Sequence, residues 1–158
     1  MFLQMKVTGI ALDPFTNTPI VILKDTTNEK TLPIWIGFME ASSIAMELEK
    51  TPRLRPITHD LVKNLIEKLG FLVSKVEVTD LKNDTFYALM YLSNEDKEYV
   101  LDARPSDAIA IALRTESPIY VNEQVLEKSK NIEIDEDKEK LEKLLEDMPE
   151  SDFGKYKM

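Results

Sequence analysis

The stretch Tyr99 to Arg114, YVLDARPSDAIAIALR, constrains the fold more than any other part of the chain. It places Asp102, Arg104, Ser106 and Asp107 within six residues, between an apolar strand-like run and an almost wholly apolar helix-like one. Pro105 suits the first position of a helix, because its fixed φ fits the first turn and its missing N–H would have no partner there. Ser106 and Asp107 then fall in that turn, where their side chains can meet free backbone N–H groups and a carboxylate is favoured by the helix dipole. From Ala108 to Leu113 there is no polar residue. Such a helix has no face to offer water and belongs inside the domain. Two readings of the polar groups stay open. In one, Ser106 and Asp107 cap a core helix and Asp102 pairs with Arg104. In the other the four line a pocket, since charge at the edge of a core has to be paired or solvated.

At 158 residues the chain can bury a proper core, and one domain with a short appendage is expected. The division falls at residue 130, with residues 131–158 as an acidic, amphipathic tail. There is no cysteine, hence no disulfide framework and no thiolate nucleophile or zinc ligand. A metal would have to be held by oxygen ligands and at most one histidine, His59. The opening MFLQMKVTGIALD lacks the pattern of a signal peptide, and no stretch approaches the roughly 18 apolar residues of a membrane span. The expectation is a soluble, cytoplasmic protein with no membrane partner.

The formal net charge is −9, and neither half relieves it: 11 acids face 7 bases from Glu127 onward, and 18 face 13 before it. The broad basic face of a protein that grips nucleic acid by its phosphates is missing. The arginines are distributed differently from the rest. All four, Arg53, Arg55, Arg104 and Arg114, fall in two short segments, whereas the sixteen lysines are spread widely. Arginine grips phosphate or carboxylate bidentately, so this confinement points to one shared site.

Along the chain, residues 2–12 and 18–24 read as a hairpin around DPFTNT, and TLPIWIG reads as a third antiparallel strand. FMEASSIAMELEK puts Ala41, Ile44, Ala45 and Leu48 on one helical face, with Glu40, Ser43 and Glu47 on a neighbouring stripe. Pro52 and Pro56 break the helix. Thr58 or Asp60 can cap the next one, for which Leu61, Leu65, Ile66 and Leu69 form the expected buried face before Gly70. FLVSKVEVTD and TFYALMYLS make a second hairpin, KEYVLD leads into the Pro105 helix, SPIYV is a short strand, and Asn122 can cap a last short helix. In the tail, Leu141, Leu144, Leu145 and Met148 make a narrow apolar stripe that needs a surface to lie on.

A loose internal repeat links the halves. Shifted by 65 residues, Ile36, Gly37, Ile44, Ala45 and Leu48 fall on Leu101, Asp102, Ile109, Ala110 and Leu113. If each strand feeds a buried helix, the junctions at Gly37–Glu40 and Asp102–Asp107 face each other, and Glu40, Asp102, Arg104, Asp107 and His59 converge. With four glycines, neither a dinucleotide fingerprint nor a phosphate loop can be written, and no Gly-x-Ser-x-Gly turn surrounds Ser106. A cluster of carboxylates and arginines remains, which suits a divalent cation on oxygen ligands with arginine on a phosphate.

The runs LPIWIGFMEASSIAMEL, RPITHDLVKNLIEKLG, NDTFYALMYL and LDARPSDAIAIALR, followed by SPIYV, closely resemble the bifunctional nuclease domain family over about residues 3 to 128. The resemblance implies an α+β fold with a curved, barrel-like, mixed or mainly antiparallel sheet, packed helices and a duplicated strand-helix unit. It also implies nuclease activity on DNA and RNA, but supplies no catalytic residue set. The tail does not look like the helical repair-protein motif that ends some relatives, so no repair partner is expected.

Two functions follow. The first is a metal-assisted phosphodiesterase: Asp102, Asp107 and Glu40 hold Mg²⁺ or Mn²⁺, Arg55, Arg104 and Ser106 steady the phosphate, and His59, with Asp102 and Asp107, carries the proton chemistry. The second is a non-catalytic regulatory or interaction module whose polar cluster is structural or binds a small anion. A homo-oligomer fits either, because an edge strand and an amphipathic tail both need cover.

Overall fold

In the computed structural model, which describes residues 1–27 and 29–131, the alternating runs at the start of the chain form the expected meander. β1 (Phe2–Leu12) pairs antiparallel with β2 (Pro19–Asp25), which pairs antiparallel with β3 (Thr31–Trp35). Asp13 fixes the first turn: its Oδ1 accepts the N–H groups of Phe15 and Thr16, and its Oδ2 accepts Trp35 Nε1–H at 2.8 Å. Trp35 is thereby laid against Ala11, Ile20 and Ile22, a small apolar cluster apart from the main core.

A second meander follows. β4 (Leu72–Lys82) and β5 (Thr85–Ser93) join through Asn83 and Asp84, whose φ values of 50° and 62° are those of a two-residue hairpin turn, and β6 (Glu98–Ala103) completes it. β7 (Ile119–Asn122) lies between the meanders, antiparallel to β1 and parallel to β4, so the strand order is β3-β2-β1-β7-β4-β5-β6. The result is an α+β fold on one mixed, seven-stranded sheet with four helices among the described residues. The sheet is open, with β3 and β6 as its edges, and does not close into a barrel. It is curved nonetheless: α4 (Glu123–Asn131) touches both β3 and β4, four places apart in the strand order. Asn122 caps α4 as expected, accepting Gln124 N–H at 3.0 Å.

Both meanders run into a helix, α1 (Phe38–Leu48) after β3 and α3 (Pro105–Thr115) after β6, while α2 (Thr58–Lys68) packs on α3. The apolar stripes are used as read: Ala41, Ile44, Ala108, Ile109 and Ala110 are fully buried. α2 differs from expectation. Only Ile66 of its expected face is buried, whereas Leu61, Leu65 and Leu69 are all more than half exposed. The inward stripe is instead His59, Val62 and Ile66, because α2 is held by polar bonds at its first turn and is rotated accordingly. The tail helix expected beyond residue 131 lies outside the described residues. No described helix is long and apolar enough to cross a membrane.

Ile109, with no exposed surface at the centre of α3, is the most direct check on this packing. Ile109→Ala should lower the unfolding free energy by about 2–5 kcal/mol in urea titrations, whereas Leu101→Ala, on the exposed edge strand, should cost under about 1 kcal/mol.

Candidate active site

The one-residue connection between β6 and α3 decides where the charged groups go. Arg104 occupies the N-cap of α3 in extended conformation, so its side chain stands beside that of Asp107 one turn on; Nε–H donates to Asp107 Oδ2 at 2.8 Å. The same guanidinium reaches α1, where Nη2 meets Glu40 Oε1 at 2.9 Å. Glu40 can turn toward its own helix start because Gly37, the N-cap of α1, has no Cβ to collide with its carboxylate. The two junctions therefore do face each other, bridged by Arg104. Asp107 does not cap its helix, since both oxygens are engaged by side chains.

Asp107 Oδ1 faces His59 Nε2 at 2.9 Å, and His59 Nδ1 faces Ser43 Oγ at 2.6 Å. Side chains from α1, α2 and α3 thus form one chain of contacts, Ser43–His59–Asp107–Arg104–Glu40. Exposure rises from 12% for His59 through 31% for Asp107 to 65% for Arg104, and falls again to 17% at Glu40. Desolvation alone would raise the Asp107 carboxyl, but the hydrogen bonds from Arg104 and His59 outweigh it and hold the group below the usual carboxylate range. Asp107 is therefore ionised at neutral pH. In the neutral imidazole, Nε2 then carries the proton and Nδ1 accepts from the Ser43 hydroxyl.

A second network lies directly behind. Arg114, with a side chain only 2% exposed, donates from Nε to Asp60 Oδ1 at 2.7 Å, from Nη1 to Ala110 O at 2.9 Å and from Nη2 to Ser43 O at 3.1 Å. Arg53 donates to both oxygens of Asp60 and to Glu47 Oε2, and Ile57 N–H donates to Asp60 Oδ2. Burial would push the Asp60 carboxyl up; Arg53, the Ile57 N–H and Arg114 together hold it far below its ordinary value. The same carboxylate thereby supports the start of α2 and sets His59, its neighbour in sequence, toward α1 and α3.

Of the expected site residues, Glu40, His59, Arg104 and Asp107 are brought together, and Arg55 lies nearby in a cleft with Arg53 and Arg114. Ser106 is buried in α3 and makes no side-chain hydrogen bond among the described residues. Asp102 is placed elsewhere. It pairs in register with Leu89, one residue out of phase with Leu101 and Ala103, whose partners Met90 and Ala88 belong to the core, so it projects from the opposite face of the sheet. Ser43, Asp60 and Arg114 were not among the expected site residues. The crowding of arginine into two segments was the signal for Arg114; for a serine on a helical stripe there was none.

The acids do not fit a cation as they stand. Among the described residues no three His, Asp or Glu side chains converge to hold a metal ion, and Glu40 and Asp107 each face Arg104.

Comparison with known proteins gives a consistent set of similarities. A model of the bifunctional nuclease domain matches residues 21–134, a span that includes every residue of both networks. An uncharacterized protein of Mycobacterium tuberculosis (strain ATCC 25618 / H37Rv) is 42% identical over 123 residues, covering 78% of this chain and 73% of the relative. Bifunctional nuclease 1 of Oryza sativa subsp. japonica is 35% identical over 111 residues, 67% of this chain and 33% of the relative. Bifunctional nuclease 1 of Arabidopsis thaliana is 31% identical over 118 residues, 72% of this chain and 36% of the relative. The alignments thus span about a third of each plant protein.

Acid stability tests the Asp60 network. A carboxyl whose folded pKa is depressed adds stability above its unfolded value near 4, and that stability is lost as pH falls toward the folded value. The unfolding free energy should therefore fall below pH of about 4. Asp60→Asn should be less stable at neutral pH yet show a shallower acid limb in chemical denaturation; superimposable slopes would contradict the assignment.

Proposed function

Because the chain belongs to the bifunctional nuclease domain family, we propose that it hydrolyses phosphodiester bonds in DNA, RNA or both, at the His59–Asp107–Arg104 junction. The observation that carries this reading is the order of exposure: a solvent-facing guanidinium, then a carboxylate, then a sheltered imidazole, in direct contact. Arg104 has spent Nε–H on Asp107 and one Nη2 donor on Glu40, which leaves Nη1 and the second Nη2 hydrogen for a phosphate.

His59 is the proton carrier in this proposal, and Nε2 is the working atom because its partner is the more exposed one. Swinging the Asp107 carboxylate onto Arg104, which already holds its other oxygen, would open Nε2 to a water beside the phosphate. With Asp107 in place the neutral ring carries its proton on Nε2 and presents it as a general acid; service as a general base at Nε2 requires Asp107 to swing away and the proton to pass to Nδ1, where the Ser43 hydroxyl can accept it. Ser106 and Asp102 have no part in these steps. Assistance by Mg²⁺ or Mn²⁺ would need Glu40 and Asp107 freed from Arg104. A homo-oligomer belongs to the same reading, formed through the β6 edge, where Tyr99, Val100 and Leu101 are all exposed.

The second reading is a non-catalytic module, and one observation favours it: every acid at the junction is already matched by an arginine or the imidazole. Cleavage of single-stranded DNA and RNA, assayed in Mg²⁺, in Mn²⁺ and in EDTA, separates the two. His59→Gln and Asp107→Asn should each lower the rate about 10²–10⁴-fold, the usual worth of a positioned acid or base, with folding verified by circular dichroism. Arg104→Ala should lose phosphate binding as well as rate. Unimpaired cleavage by folded variants would reject these roles, and stability loss without any activity in the parent would leave the module.

A further inference from the structure

Three of the four arginines, Arg53, Arg55 and Arg114, line a cleft of about 380 Å³ between the segment 51–56 and the first half of α2, together with Lys63, Asn64, Glu47 and Asp60. Four cations there meet two carboxylates, a local excess of two positive charges in a chain whose formal net charge is −9. The charges are layered. Arg114 and Arg53 are the sheltered pair and are consumed by Asp60 and Glu47. Arg55 is exposed and Lys63 half-buried, and neither has a partner among the described residues. Structural pairing therefore accounts for two of the cations and leaves two with free donors at the opening.

The position matters as much as the charge. Asp60 lines the cleft while His59, the preceding residue on the same helical turn, faces Asp107. Successive helical residues point about 100° apart, so cleft and junction flank one turn of α2, within roughly the 10 Å diameter of a helix. A single strand held in the cleft by one phosphate could place a neighbouring phosphate at Arg104. A duplex would need an extended basic surface, which a formal net charge of −9 does not favour.

We propose that the cleft is a binding subsite for a backbone phosphate of single-stranded nucleic acid, contacted directly by Arg55 and Lys63. The nature of the ligand rests on the nuclease reading above. No aromatic side chain lines the cleft, so bases gain no stacking there and the subsite is indifferent to sequence.

Fluorescence anisotropy with a short, nuclease-resistant phosphorothioate oligothymidylate tests this, with the matching oligoadenylate and inorganic phosphate as further arms. The parent should bind both oligonucleotides alike at low salt. The Arg55→Ala/Lys63→Ala double variant, which breaks no structural pair, should bind about tenfold or more weakly, and the slope of log affinity against log salt should shrink by about 0.7 for each phosphate that the variant no longer neutralises. Unchanged affinity and slope in the double variant would overturn the proposal, as would failure of the parent to bind. So would inorganic phosphate competing as well as the strand, which would make the ligand a small phosphorylated molecule. Cleavage of an unmodified strand, followed in parallel, keeps the two readings apart: binding through the cleft without cleavage removes the nuclease and leaves the subsite, whereas equal binding and cutting by parent and double variant does the reverse.

Discussion

A guanidinium buried in a helical core has to find acceptors for its donors, and the fold is arranged around that requirement at Arg114. Its side chain leaves the last turn of α3, bonds its own helix at Ala110, crosses to α1 at Ser43 O and meets α2 at Asp60. Removing one partner of such a pair typically costs about 3–5 kcal/mol, because the other is left charged and desolvated. The three helices are thereby fixed relative to one another by directional bonds where apolar packing alone would allow them to slide. This explains why α2 exposes Leu61, Leu65 and Leu69: its orientation is set by Asp60 at its first turn rather than by its most apolar face.

The same constraint organises the surface. With Asp60 anchored, His59 is directed between Ser43 and Asp107, and Arg104 closes the outer end by bridging the start of α1 and α3. Arg114 and Arg104 do opposite work with the same chemistry. One is sealed and saturated, and serves the architecture; the other is mostly exposed, retains free donors, and is available to a phosphate. A chain with a net charge of −9 can still concentrate its arginines, and all four lie at this helical junction or in the cleft beside it.

Much of this was legible in the sequence. Hairpin turns, the Pro105 start of α3 and the buried run after it are local signals, and they predict the elements closely. The two arginine segments do meet, since Arg53 and Arg114 share Asp60, and Glu40 does face Arg104; neither contact establishes the duplicated strand-helix unit that the resemblance implied. What failed was whatever depended on side-chain phase. Asp102 lies within β6, where alternation points it away from the core face that Leu101 and Ala103 share, whereas Arg104 lies past the strand and turns with the start of α3. The stripe on α2 was read from hydrophobicity, while its rotation is decided by a carboxylate. Closure of the sheet is likewise a long-range property: β3 and β6 remain edges although the sheet curls around α4.

The central claim is that Asp107, kept ionised beside Arg104, holds the His59 ring in one tautomer with Ser43 on its far side. Since His59 is the only histidine in the chain, ¹⁵N NMR of the imidazole reads this state without assignment ambiguity. At a pH where the ring is neutral, the account predicts a protonated Nε2 and an unprotonated, hydrogen-bonded Nδ1. Asp107→Asn should shift both signals, and Ser43→Ala mainly Nδ1. A ring protonated at Nδ1, or one whose spectrum ignores both substitutions, would contradict it.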